Sequence, residues 1–256
     1  MSTPSNPFDV GQETATNYAN ARPYYHPRAL RAALEPAGRV SASAVGVDVG
    51  CGTGLSTRAL AEIVGRVVGL DPSPHMLAAA SAAAGVRFAV AKAEALPLRD
   101  GVADVITCAA SMHWFGPAAF DELARVAAPR AVLAVYSDFF TGEVGGLPAF
   151  GTWLETVYLP RLPTPQRREH YNDELLARAG FKLVAESEAQ YEVLMTRLRL
   201  RRYLMTQSNA TMAVQAGQSD AELSGWVDAE LAPLLGDGEW PVNFAYRTWT
   251  ATRMSH

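Results

Sequence analysis

The chain has 256 residues, 49% of them hydrophobic, which is enough apolar material to bury a full core in one large domain. Only 19% of the residues are charged and the formal net charge is -4, so no long-range field invites nucleic acid or an anionic membrane, and a small or neutral partner is expected. The opening MSTPSNPFDV lacks a basic segment followed by an apolar core, and no later run approaches the roughly 18 apolar residues of a membrane span, so a soluble, cytoplasmic protein is expected, with no oligomeric state indicated.

Near the N-terminus, YANARPYYHPRAL sets Tyr18 and Arg22 four residues apart, which places both on one face of a helix. Spacing alone leaves a solvated surface arginine equally open. From Ala44 to Tyr136, short β-rich runs alternate with helical patterns, which predicts a parallel sheet covered by helices. The runs are AVGVDV, RVVGL, VRFAV, ADVITC and AVLAVY. Between the first two, LSTRALAEIV puts Leu55, Ala59, Leu60, Ile63 and Val64 on one helical face, and Gly65 ends it. Ser73 is placed to cap a second helix opened by SPHML, and Pro117 to open a third in which Phe120, Leu123, Ala124 and Ala127 follow at helical spacing. Cys51 and Cys108 fall at strand ends, far apart in sequence, and read as reduced thiols.

Beyond Asp138 the alternation breaks, and glycines and prolines between 142 and 165 read as an insertion leading to the short helix NDELLARAG. FKLVAESEAQYEV then reads as a strand, RLRLRRYLM and DAELSGWVDAELAPLL as helices, and VNFAYRTWTATR as a last strand. The two late strands suit an antiparallel pair at the sheet edge, with their order left open. The fold class is therefore α/β: a Rossmann-like, seven-stranded, mostly parallel sheet with helices on both faces, an antiparallel C-terminal edge, an N-terminal lid and an inserted cap. One domain over 1–256 is expected, with the lid at 1–40 and a ligand-binding core at 41–138. Cap segments would occupy 139–170 and 191–238, and the C-terminal sheet elements 171–190 and 239–254.

The chemistry concentrates at the strand ends. VDVGCGTG follows the first strand, and its Gly50, Gly52 and Gly54 would let a ligand lie against the backbone, although a tight strand-to-helix turn needs the same residues without any ligand. Asp48 stands immediately before the turn, where its carboxylate would welcome a cationic group and repel a diphosphate. Asp71 ends the second strand about 20 residues after the glycines, the spacing at which a carboxylate takes both hydroxyls of a ribose. The spacing is G-x-G-x-G, and the third glycine of G-x-G-x-x-G is absent, with Leu55 at that position. Together these suit an adenosine carrying an amino acid and no phosphates. After the fourth strand, CAASMHWF offers the small Ala109 beneath a ligand and His113, whose ordinary pKa near 6.5 makes general-base work available. His113 equally suits a ligand wall, with Trp114 and Phe115 packed behind it. No metal site is expected, because His26, His75, His113 and His170 show no helical pair spacing and no cysteine pair accompanies them. Tyr136, Phe139, Phe140, Trp153 and Tyr158 could wall an acceptor pocket or form the insertion's own core. RLRLRR suggests an RNA contact less than it does a solvated or structurally paired helix face.

VDVGCGTG with VVGLDPSPHML, AKAEALPL and ADVITCAASMHWF resembles the class I methyltransferases that bind S-adenosyl-L-methionine, over about half of the chain. YANARPYYHPRAL and FAYRTWTATR are similar to the trans-aconitate methyltransferase-like branch of the type 11 group. The resemblance implies S-adenosyl-L-methionine as cofactor and methyl transfer to a small-molecule acceptor, a carboxylate or hydroxyl first, nitrogen or carbon also open. By it, Asp48, Gly50, Cys51, Gly52 and Gly54 face the methionine portion, Asp71 the ribose, Pro72 and Met76 one side of the adenine, and Ala93 and Glu94 the other. Met76 also fits a plain core position. Lys92 stands where many relatives carry an aspartate for the adenine amino group. Tyr18 would lie near the sulfonium and Arg22 would meet the cofactor carboxylate, while His113, Trp114, Tyr136, Phe139 and Trp153 would border the acceptor. Two rivals stay open: a nicotinamide-dependent oxidoreductase, from the same glycine turn and Asp71, and a noncatalytic binding protein of this fold.

Overall fold

The structure, a computed structural model, describes residues 12–38, 40–80, 84–165 and 173–254. Two helices, α1 (Gln12–Ala21) and α2 (His26–Leu34), precede β1 (Val45–Val49). Helix and strand then alternate through α3 (Leu55–Ala61), β2 (Arg66–Asp71), α4 (Pro74–Ala78), β3 (Val86–Val90), β4 (Ala103–Ala109), α5 (Ala118–Val126) and β5 (Ala127–Val144). Next come α6 (Pro148–Trp153), a π-helical turn (Leu154–Tyr158), α7 (Leu159–Arg161), α8 (Asp173–Arg178) and β6 (Phe181–Thr196). Helices α9 (Arg197–Met205), α10 (Ser208–Gln215) and α11 (Asp220–Leu231) lead to β7 (Glu239–Arg253).

Among the described residues seven strands form one sheet in the order β3-β2-β1-β4-β5-β7-β6. β1 to β5 pair in parallel. β7 runs against both of its neighbours: Gly145 N–H reaches Pro241 O and Thr141 Oγ1 reaches Asn243 O on one side, and Glu188 meets Arg247 and Ser187 meets Thr248 on the other. The chain thus winds outward from β1 to β3, returns to β4 and winds outward again. That reversal is a topological switch point, and in an open sheet of this type the ligand crevice lies beyond the carboxyl ends of the two strands beside it.

The chain divides into two compact units. The sheet unit comprises the described parts of Tyr24–Asp138, Arg167–Glu188 and Tyr246–His256. Its core joins Val47, Leu70, Ile106 and Leu133 of the strands to Phe120, Leu123 and Val126 of α5 and to Phe181. Gly46 lets α3 approach β1 closely, since a Cβ there would stand 2.7 Å from Leu60 Cδ2. The second unit comprises the described parts of Met1–Pro23, Phe139–Gln166 and Ala189–Ala245, with its own core of Phe150, Tyr158, Tyr203, Leu223, Val227 and Phe244. Thr196 and Ser219 cap α9 and α11 by accepting from the backbone N–H three residues on.

Two boundaries differ from those the sequence suggests. The expected lid over 1–40 does not hold together as one piece, because α2 buries His26, Ala29, Leu30, Ala33 and Leu34 along one continuous face inside the sheet unit. Likewise β5 does not stop at Asp138. It continues to Val144, with Phe140 and Val144 alternating into the second core and Gly142 between them, a period-2 pattern that the glycine disguises.

Candidate active site

β1 delivers the chain into the glycine turn, where Gly50, Gly52 and Gly54 all have positive φ, at 72°, 54° and 77°. A Cβ on Gly50 would lie 2.4 Å from Ser111 Cβ, and one on Gly54 would lie 2.8 Å from Phe88 Cζ. Glycine is therefore required here by backbone geometry and by the packing of β3 and of the loop after β4, before any ligand is considered. The turn's amides are also engaged. Gly50 and Cys51 donate to Leu70 O, Gly54 to Cys51 O, and Gly52 to Asp71 Oδ2 at 2.8 Å.

Asp48 corrects the sequence reading. It is fully buried, and its carboxylate accepts hydroxyl bonds from Ser56 and Thr57 at 2.6 Å each and from Thr107 at 2.7 Å. Burial raises its pKa, and the three hydroxyls oppose the shift. All three of these bonds come from within the protein. Asp48 ties β1, the start of α3 and β4 into one block behind the turn.

Asp71 remains at the crevice, 7% exposed. Oδ2 accepts from Gly52 and Oδ1 from Ser73 at 2.9 Å, so each oxygen keeps a lone pair. Its pKa is raised by burial, lowered by the Ser73 and Gly52 amides and raised again by Asp48. Behind it Ser73 caps α4 by accepting from Met76 N–H, and Met76 is buried with Cε 3.2 Å from the Cβ position of Gly52. Pro72 is exposed. Ala93 is buried, and Glu94 Oε1 accepts from Gly116 N–H at 2.6 Å, which binds the loop after β3 to the loop after β4. Cys51 is a buried free thiol, its pKa pushed up by burial and by Asp48 and Asp71.

After β4, Ala109 is buried and Ala110 takes a positive φ of 50°, rare for a residue with a side chain. Ser111 Oγ donates to Val49 O at 2.8 Å, fastening this loop to the end of β1. His113 lies in a 3-10 turn (Met112–Trp114), 8% exposed, with its ring 4.7 Å from that of Trp114. It fronts a small, open recess shared with Val135, Tyr136, Ser137 and Trp249. Tyr136 is fully buried, which raises its phenol pKa, and its hydroxyl lies 3.4 Å from His26 Nδ1.

The structure gathers Gly50, Cys51, Gly52, Gly54, Asp71, Pro72, Met76, Ala93, Glu94, Ala109, His113, Trp114 and Tyr136 into the sheet unit. Tyr18, Arg22, Phe139 and Trp153 belong to the second unit. There Arg22 donates to Thr206 O at 2.8 Å and lies over the rings of Tyr18 and Tyr203 at 4.8 and 5.2 Å. Trp153 corrects its expected place on a pocket wall: it is buried against Phe150 and donates to Glu230 Oε2 at 3.1 Å, as part of that unit's core. Phe139 is 39% exposed. His170 lies outside the described residues. The sequence reading missed the Ser56, Thr57 and Thr107 clamp, although hydroxyls opening a helix beside a buried carboxylate signal it, and it missed Ser137 and Trp249.

The arrangement is that of a Rossmann-like α/β domain with its crevice at the switch point. A family model described as a methyltransferase domain matches residues 47–135. A provisionally named methyltransferase of Dictyostelium discoideum is 32% identical over 92 residues, which is 36% of this chain and 35% of that one. The malonyl-[acyl-carrier protein] O-methyltransferase of Serratia marcescens is 34% identical over 114 residues, 43% of each chain. A solved structure from Anaeromyxobacter dehalogenans, provisionally named a type II methyltransferase, is 26% identical with a TM-score of 0.65, over 90% of this chain and 98% of its own. The matches span less than half the length of the two curated relatives. Residues 47–135 are thus similar to the methyltransferase domain family, and the fold of 90% of the chain is like that of the Anaeromyxobacter methyltransferase.

Proposed function

We propose that the protein is an S-adenosyl-L-methionine-dependent methyltransferase acting on a small molecule with an oxygen nucleophile. The observation that carries this reading is Asp71, which keeps one lone pair on each oxygen at the crevice while its other bonds fix it to the turn. Vicinal ribose hydroxyls match that pair of acceptors. The donor set also argues against a dinucleotide. A diphosphate needs amides at the strand-to-helix turn, and those of Gly50, Cys51, Gly52 and Gly54 are already bonded within the protein. The buried Thr53 hydroxyl in the same turn finds no partner among the described residues, as fits a turn that receives a polar ligand.

In this reading Asp71 holds the ribose, Met76 and Pro72 flank the adenine opposite Ala93 and Glu94, and the glycine turn backs the amino acid. When bound, the cofactor supplies an electrophilic methyl group. The protein's contribution is then to align the acceptor and exclude water, which supplies much of the rate. An oxygen acceptor agrees with the name of the Serratia relative. Among the described residues no helix is long and apolar enough to cross a membrane, and both described cysteines are free, in keeping with a cytoplasmic setting.

Calorimetry of the full chain with S-adenosylhomocysteine and with NAD tests the reading. Binding of the former is expected, and binding of NAD alone would overturn it in favour of an oxidoreductase.

A further inference from the structure

Building on the S-adenosyl-L-methionine reading, we infer that Glu122 and Arg125 of α5 are positioning residues for the purine: they fix the backbone of 91–98 as the edge that reads the adenine. This segment follows β3 and has no helix or strand of its own to give it shape. It begins beside the proposed ribose site, since Ala91 N–H donates to Asp71 O at 3.1 Å. A base attached to a ribose on the Asp71 carboxylate falls against the residues that follow. Within the segment Ala95 N–H donates to Lys92 O and Leu98 N–H to Leu96 O, two local turns that do not join it to the sheet.

The ion pair on α5 makes that join. Glu122 Oε2 accepts from Leu96 N–H at 2.7 Å, while Arg125 donates to Leu96 O at 2.9 Å and to Leu98 O at 2.7 Å. Both peptide groups of Leu96 are thus held by one pair of side chains. The pair is itself locked, with Arg125 Nε donating to Glu122 Oε1 at 2.7 Å and a terminal guanidinium nitrogen to Oε2 at 2.8 Å. That forked geometry belongs to a guanidinium, and an ammonium cannot reproduce it. The Arg125 hydrogen bonds hold Glu122 below the ordinary carboxylate range, so the pair stays charged at neutral pH. Arg125 O also accepts from Gly101 N–H at 2.9 Å, and Glu94 Oε1 accepts from Gly116 N–H just ahead of the helix.

Stability alone does not account for this arrangement. The side chains of Arg125 and Glu122 are 31% and 19% exposed, and ion pairs open to water add little to folding. Leu96 is already buried in the sheet core, with Leu98 packed against it, so apolar contacts hold the segment down. What the fork adds is direction. Adenine is told from other purines by hydrogen bonds along one edge, and such bonds discriminate when their partners are fixed to within about 0.5 Å by a supporting layer. Glu122 and Arg125 are that layer, acting through the backbone that they grip.

The paired probes are S-adenosylhomocysteine and S-inosylhomocysteine, in which a carbonyl replaces the purine 6-amino group, with calorimetry on the full chain. Binding of neither ends the S-adenosyl-L-methionine reading and this inference with it. The native chain is expected to bind the adenine compound at least about tenfold more tightly. Arg125→Lys keeps the charge and loses the fork, so it should weaken the adenine compound about tenfold and leave the hypoxanthine compound within about twofold. Glu122→Gln keeps the shape and loses the charge, and it should narrow the preference by about threefold. It carries the test by itself if circular dichroism shows that Arg125→Lys does not fold. A purely structural role would lower both affinities together, or only the melting point. Equal losses for the two compounds, an unchanged preference in the folded variants, or a native chain that binds the hypoxanthine compound as tightly overturns the inference and leaves the cofactor reading standing.

Discussion

Asp71 and Asp48 are both buried carboxylates with raised pKa, yet they do different work, and the difference lies in who donates to them. Backbone amides hold Asp71 and leave it able to accept more, so Asp71→Asn should weaken S-adenosylhomocysteine binding by roughly 10- to 100-fold, the worth of hydrogen bonds to a charged acceptor, without unfolding the chain. Calorimetry with circular dichroism on the variant checks both halves. Asp48 is consumed by three hydroxyls, so Asp48→Ala should cost stability instead, about 3 kcal/mol at roughly 1 kcal/mol per lost bond, read from urea unfolding. Its pH dependence follows from the direction of the shift. A carboxylate whose folded pKa is raised contributes stability that is fully present below its unfolded pKa, near 3.8, and is lost as pH rises through the folded value. Asp48→Asn should remove that contribution, so its urea midpoint should fall less than the native chain's between pH 3.8 and neutrality. Asp71 was legible from its spacing after the glycines. The role of Asp48 was not, because its partners Ser56 and Thr107 come from a helix start and a strand that only the fold brings together.

The glycine turn shows how elements impose residues on one another. Gly50→Ala meets two separate penalties, the positive φ and the contact with Ser111 on the loop after β4. The first is worth about 1–2 kcal/mol for a residue with a Cβ. Adding Ser111→Gly should recover the loss from the contact and leave the loss from φ, so a double-mutant cycle by urea unfolding should show a favourable coupling between the two sites. Independent, additive losses would show that the loops do not touch as described. The parallel core was legible at this scale because each strand and helix carries its own period, as α5 does in burying Phe120, Leu123 and Val126. α2 was misplaced for the opposite reason: its apolar face was present in HPRALRAAL, but the Tyr18 and Arg22 pair beside it drew the whole segment into a lid. The glycine inside β5 and the small, uncharged SNATMAVQ of α10 hid two further elements.

For the whole molecule, ligand binding reports on folding. S-adenosylhomocysteine at about 100 times its dissociation constant adds roughly 2.7 kcal/mol to the stability of the state that binds it. A chain of 256 residues should then melt some 5 °C or more higher, while NAD at the same concentration should leave the midpoint unmoved. Hydrogen exchange should localise the protection to 50–54, 71–76, 91–94 and 109–116, where the crevice loops are bonded to one another. Those bonds also bear on how such a chain changes over generations. Gly50 and Gly54 are required by backbone angle and by neighbouring side chains, so a descendant that had lost every trace of catalysis would still be selected to keep them for its folding. A glycine signature of this kind marks ancestry, and in a survey of genomes it would count silent pseudoenzymes and working ones alike. The residue free to drift once the cofactor no longer mattered is Asp71, and its loss from an otherwise intact turn would be the earlier sign of a retired enzyme.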